Sequence, residues 1–106
     1  LTEHDLQNQI RLELSKIGWI TFRTNVGKVK LTDGRFFDTG LPPGFSDLIA
    51  LKDGKTVFIE VKKPGGKPSK AQKNFIEQMK KNGFNAGIVY NVEQALDLCS
   101  LTTCIN

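Results

Sequence analysis

Asp47-Leu48-Ile49-Ala50-Leu51-Lys52-Asp53-Gly54-Lys55-Thr56-Val57-Phe58-Ile59-Glu60-Val61-Lys62 is the stretch on which the reading of the chain turns. Its two apolar runs, 47–51 and 56–62, each predict a strand, and Asp53-Gly54 between them favours the tight turn of a β-hairpin. Strand alternation puts Phe58, Glu60 and Lys62 on one face and Val57, Ile59 and Val61 on the other. Folding about Asp53-Gly54 brings Asp47 to the same open end of the hairpin as Glu60, Val61 and Lys62. A carboxylate at the end of a buried strand is costly unless it is paired or coordinates a metal.

Two carboxylates, with the backbone carbonyl of Val61, suit a hard divalent cation such as Mg2+ or Mn2+. Such an ion lowers the pKa of a bound water and neutralises charge on a phosphodiester, and Lys62 would position that nucleophile or stabilise the transition state. The plainer alternative is a cross-strand ion pair solvated at a strand end.

Working outward, Thr2 caps a helix that carries Leu6, Ile10, Leu14 and Ile17 at helical spacing and stops at Gly18. At 100° per residue, Glu3, Gln7, Ile10, Leu14 and Ile17 share one stripe. The inward face of this helix therefore turns polar at its N-terminal end, at Glu3 and Gln7. Residues 19–23 predict a strand. From Thr24 to Gly44 turn formers dominate, with a short hairpin about Asp33-Gly34 that pairs Val29–Leu31 with Arg35–Phe37. Pro64-Gly65-Gly66 breaks the chain after Lys62. Ser69 opens a helix with an apolar face of Phe75, Ile76 and Met79, which ends at Gly83. Residues 86–90 form a strand, and residues 92–101 a last helix on Ala95, Leu96 and Cys99. The class expected is α/β: one domain over 1–106, with a mixed sheet of about four to five strands flanked by helices. Trp19 and the phenylalanines are expected in the core.

The 106 residues carry a formal charge of +4, too modest to identify a partner alone. Its distribution says more: seven lysines and one acid between Val61 and Lys81 give that segment +6 and leave −2 for the rest. A one-sided basic surface attracts polyanions, although a solvated lysine-rich helix face would look the same. Lys63, Lys67, Lys70 and Lys73 flank the acidic cluster and are candidates for phosphate contacts. Arg23, Asn25, Lys28, Lys30 and Arg35 could hold a nucleic-acid backbone from the glycine-rich segment, whose hairpin could act as a clamp or wedge. Cys99 and Cys104 fit neither a zinc site nor a disulfide framework. Two thiols outside a disulfide framework make a cytoplasmic setting the expectation; no stretch is long and apolar enough to span a membrane, and no signal-peptide pattern opens the chain.

The run Gly44-Phe45-Ser46-Asp47-Leu48-Ile49-Ala50, then Phe58-Ile59-Glu60-Val61-Lys62, then Pro68-Ser69-Lys70-Ala71-Gln72, resembles the PD-(D/E)XK nuclease superfamily. Within it, the chain is similar to the VRR-NUC (virus-type replication-repair nuclease) family from Thr2 to about Leu98. Ser46 stands where the superfamily's name puts Pro. The resemblance implies a restriction-endonuclease-like fold and Mg2+- or Mn2+-dependent cleavage of DNA, often at flaps or four-way (Holliday) junctions. It implies Asp47 and Glu60 as metal ligands, Val61 lending its carbonyl, Lys62 as the catalytic lysine and Glu3 completing the metal shell. Gln7 would contact the metal's waters or the same phosphate. Gln72 would be catalytic, although Ser69 and Gln72 also fit a helix capping box. Stand-alone phage and bacterial members resemble junction resolvases that act as homodimers, in a bacterial or phage-infected cell. A flap or fork nuclease, or a domain that binds branched DNA without cutting it, is the alternative. Leu98 to Ile105, with Phe36, Phe37 and Leu41, could line a dimer face or belong to the core.

Overall fold

The computed structural model describes residues 1–101 other than Asn25 and Gly27, with Lys28 and Val29 described by their backbone alone. The elements are α1 (Glu3–Lys16), β1 (Ile20–Arg23), β2 (Lys28–Lys30), β3 (Phe36–Asp38), β4 (Leu48–Lys52), β5 (Lys55–Val61), α2 (Lys70–Lys81), β6 (Asn85–Val89) and α3 (Val92–Ser100). Four strands form a mixed sheet in the order β1-β4-β5-β6, and β2 and β3 form a separate two-stranded ribbon. β4 runs antiparallel to both β1 and β5. β6 runs parallel to β5, with α2 as the crossover. The α/β class is as expected, with four strands in the main sheet.

Local chemistry sets the boundaries. The Thr2 side chain accepts from Asp5 N–H while Asp5 accepts from Thr2 N–H, so α1 opens on a reciprocal capping box. Asp53 and Gly54 both have positive φ, 49° and 78°, which matches the twist of the flanking strands. The ribbon keeps the expected register, with Lys30 opposite Phe36 and Val29 opposite Phe37.

α1 and α3 cover one sheet face, and α2 covers the β5–β6 half of the other. Leu6, Ile10, Leu14, Trp19, Leu48, Ala50, Val57, Ile59, Val61, Val89, Ala95 and Cys99 form the core under α1 and α3. Each large aliphatic side chain among them contributes about 1.5–3 kcal/mol by burial. On the α2 side, Phe58 meets Phe45, Phe75 and Phe84 edge-to-face, with centroids 5.5–6.0 Å apart.

Two expectations about burial are corrected. Ile17 is exposed, because as the C-cap its backbone (φ −109°, ψ 19°) has left the helix and its side chain has left the inward stripe. Trp19 is core, but Phe22, Phe36, Phe37 and Phe84 are exposed. β1 is an edge strand whose Phe22 face lies outside the cover of α2, and among the described residues no helix or strand packs extensively over the ribbon. Leu98 packs over Gly87 and serves the body of the fold. Of the rest of the suggested apolar C-terminal segment, Cys99 is core and Leu101 is exposed, while 102–105, with Cys104, lie outside the described residues.

Candidate active site

The β4–β5 register pairs Leu48 with Ile59, so one further step sets Asp47 opposite Glu60. Asp47 lies just before β4, where its Oδ2 accepts from the Val61 N–H at 2.9 Å. The Asp47 side chain thus takes up a backbone donor at the end of β5. Its own carbonyl accepts from Thr24 N–H at 2.9 Å, and the Thr24 hydroxyl donates to the Ser46 carbonyl at 2.5 Å. The fully buried Ser46 donates its hydroxyl to the Leu48 carbonyl. Ser46 therefore satisfies its polar group locally at the position where the superfamily's name has proline.

Glu60 is 1% exposed. Its Oε2 faces the Lys62 ammonium at 3.9 Å, while its Oε1 is buried with no hydrogen-bond donor among the described residues. Burial, then the neighbouring Asp47 carboxylate, pushes the Glu60 carboxyl up to about 8 against the opposing pull of Lys62. A buried carboxylate facing a second carboxylate, with one oxygen unmatched, is a site short of positive charge. The residues present therefore fit a divalent cation, which Asp47, Glu60 and the Val61 carbonyl would hold.

Glu3 projects from the first turn of α1 to the segment after β5. Its Oε2 lies 3.4 Å from the Lys63 backbone nitrogen, and Gly66 packs close by, where a Cβ would come within 3.4 Å of the same oxygen. Glu3 also adds to the negative field on Glu60. Among the described residues no three acidic, histidine or cysteine side chains gather into a ready-made cation cluster. Glu3 thus meets the Lys63 backbone and lies close enough to Glu60 for its charge to act on it. Gln7 is half-buried one turn further along α1.

Gln72 occupies the first turn of α2. Its Oε1 accepts from Ser69 N–H at 2.7 Å, and its own N–H donates to the Ser69 hydroxyl, so the capping box is formed. Lys63 and Lys67 stand exposed on the connection from β5 to α2, and Lys70 and Lys73 stand exposed on α2 itself. Arg23 ends β1, and its Nη1 lies 2.9 Å from His4 Nε2, beside Glu3. Asn25 and the side chain of Lys28 lie outside the described residues.

Sequence reasoning passed over Thr24, His4 and the physical role of Gly44. Gly44 has φ +89°, and a Cβ there would collide with the Ala71 carbonyl in the first turn of α2. The glycine of G-x-x-D is therefore what lets the Asp47 loop lie against the Gln72 helix, and that motif spacing was its signal. Thr24 and His4 carried no pattern of their own. A cleft of about 570 Å³ between β6 and α3 is lined by none of these residues. The candidate site lies at the open end of the β4–β5 hairpin, where Asp47 precedes β4 and Lys62 follows β5.

An α-helix-flanked mixed sheet with an acid before one strand and Glu-x-Lys at the end of its neighbour is the arrangement of the PD-(D/E)XK nuclease type, the class that a VRR-NUC domain implies. The model of the VRR-NUC domain matches residues 31–93, and the chain belongs to that family. A solved structure described as a VRR_NUC domain is 23% identical and superposes with a TM-score of 0.67, covering 94% of this chain and 97% of that one, which supports the fold. A comparison with curated protein sequences gives no match.

Proposed function

We propose that this chain is a metal-dependent deoxyribonuclease that hydrolyses phosphodiester bonds, acts on branched DNA of the four-way-junction type, and works as a homodimer. The observation that carries the hydrolytic reading is the buried Glu60 carboxyl against the Asp47 carboxylate, its Oε1 meeting no donor among the described residues. Mg2+ or Mn2+ held there would supply an activated water and neutralise phosphate charge. The chain's own residues do the rest. Asp47 is fixed from both sides, by Val61 N–H on its side chain and Thr24 on its carbonyl. Lys62, half-buried at the end of β5, holds its charge toward Glu60 and is placed to stabilise the phosphorane-like charge that develops during in-line attack. Glu3 orders the Lys63 backbone at the rim, and Lys63, Lys67, Lys70 and Lys73 offer charge to the flanking phosphates.

Branched DNA and the dimer follow from the family resemblance. They are supported by the one-sided lysine surface and by the uncovered apolar strip of Ile20 and Phe22 on β1, 60% and 52% exposed, which a second copy would cover. Two sites related by a two-fold axis would address opposing strands of a junction. The test is cleavage of flap, fork, four-way-junction and linear duplex DNA with Mg2+, with Mn2+ and in EDTA, alongside solution mass. The reading requires metal-dependent cutting that is fastest on the junction and lost in Asp47→Asn. Binding of junctions with metal present and no cutting would instead favour a non-cleaving binding domain. Cutting confined to flaps by a monomer would favour a flap nuclease.

A further inference from the structure

The β2–β3 ribbon stands outside the body of the fold. Among the described residues its strands pack on each other and on no other element to a comparable extent. The molecule measures 49 Å along its longest axis against 30 and 29 Å across. A two-stranded ribbon is marginal alone, so consecutive large apolar side chains on it need another explanation. Phe36 is 64% exposed and Phe37 is 57% exposed. Being consecutive in a strand, they point from opposite faces. A ribbon built to seat against one protein surface alternates, with one apolar face and one wet face. This one offers an aromatic ring on each side.

Both ends of the ribbon's segment are rooted in the candidate site. At the outgoing end, Thr24 binds the Ser46 and Asp47 carbonyls, and at the returning end Gly44 lies against Ala71 beside Gln72. Cations accompany the rings: Lys30 is the cross-strand partner of Phe36, Arg35 is held at the turn by Asp33 at 2.7 Å, and Arg23 stands where the segment leaves β1. The geometry points to the β2–β3 ribbon as a two-faced aromatic wedge that enters a DNA branch point beside the candidate active site, with Phe36 and Phe37 each receiving an unstacked base from one of the two parting strands. Aromatic side chains take bases without sequence preference, and the neighbouring cations meet the backbone. The inference rests on the DNA-nuclease reading and adds to it the element that senses the branch.

The experiment uses the whole chain in EDTA with a four-way junction carrying 2-aminopurine at its crossover. Native protein is expected to raise the fluorescence of the probe by unstacking it. The double variant Phe36→Ala, Phe37→Ala is expected to lose most of that rise and to bind the junction about tenfold more weakly. Its affinity for linear duplex should change less than about twofold, and its thermal melt should match the native chain. Phe36→Trp, Phe37→Trp should restore the signal. An unchanged 2-aminopurine response in the alanine variant overturns the wedge. So does conversion of a dimer to a monomer by that variant with the probe response per bound chain intact, which would assign the ribbon to a second copy. Because the readout involves no cutting, failure of the nuclease reading and failure of the wedge are separate results.

Discussion

Replacing Glu60 by Gln tests the electrostatics of the site without asking for catalysis. Folding raises this carboxyl from 4.5 to about 8 by burial and by the Asp47 carboxylate. Between those values the folded chain keeps a proton that the unfolded chain has released. The stability tied to that proton is present in full below the unfolded value and is lost as pH rises through the folded one. At about 1.4 kcal/mol per pH unit, the gap from 4.5 to about 8 amounts to about 5 kcal/mol. Solvent reaching the half-buried Asp47 and Lys62 screens this to roughly 2–4 kcal/mol. The amide introduced by Glu60→Gln keeps the shape, cannot ionise and can donate to Asp47. Urea unfolding in EDTA should therefore show the native chain losing roughly 2–4 kcal/mol between about pH 5 and about pH 8.5. Glu60→Gln should lose little over that range and be the more stable protein at the upper end. Adding Mn2+ at the upper pH should stabilise the native chain and leave Glu60→Gln unmoved. A native chain as stable at about pH 8.5 as at about pH 5, or one that outlasts Glu60→Gln there without metal, would refute the description of Glu60 as a crowded, buried carboxylate.

Gly44→Ala should destabilise the fold by at least about 1–3 kcal/mol in chemical denaturation, since its Cβ meets the Ala71 carbonyl at positive φ. A neutral result would mean that the loop and α2 do not touch there. The two roles of Gln72 separate in Gln72→Glu, which keeps the acceptor for Ser69 N–H and removes the amide donors. Unchanged stability with DNA cleavage lost marks a substrate contact, whereas full activity in this variant confines Gln72 to the cap. Each of Lys63→Ala, Lys67→Ala, Lys70→Ala and Lys73→Ala should lower the slope of log affinity against log salt by about 1 for any DNA; a variant with the native slope has lost no phosphate contact. Asp47→Asn should reduce the cleavage rate on the order of a thousandfold while binding in EDTA persists, and retained cutting would remove Asp47 from the reaction.

The hairpin about Asp53-Gly54, the convergence of Asp47 with Glu60 and Lys62, and the caps at Thr2 and Ser69 were legible in the sequence because each follows from neighbours in the chain. Turn preference, strand alternation and the capping box act over a few residues, and the ribbon register about Asp33-Gly34 follows in the same way. Burial is a different kind of property. Nothing local distinguishes Phe58, packed under α2, from Phe22, left bare on the edge strand, or from Phe36 and Phe37 on the ribbon; only the placement of α2 over half of one sheet face decides it. Ile17 read as core until the helix ended one residue before it. Thr24 reaches the Asp47 carbonyl across 23 positions, and Glu3 reaches Lys63 across 60; contacts of that span leave no period in the sequence. The sequence by itself determined which residues could carry the chemistry and on which strand face they lie. The tertiary structure alone decided that Glu60 Oε1 is buried with no donor among the described residues, that Glu3 reaches the Lys63 backbone, and that two phenylalanines face outward on the ribbon, because each depends on which distant elements pack together.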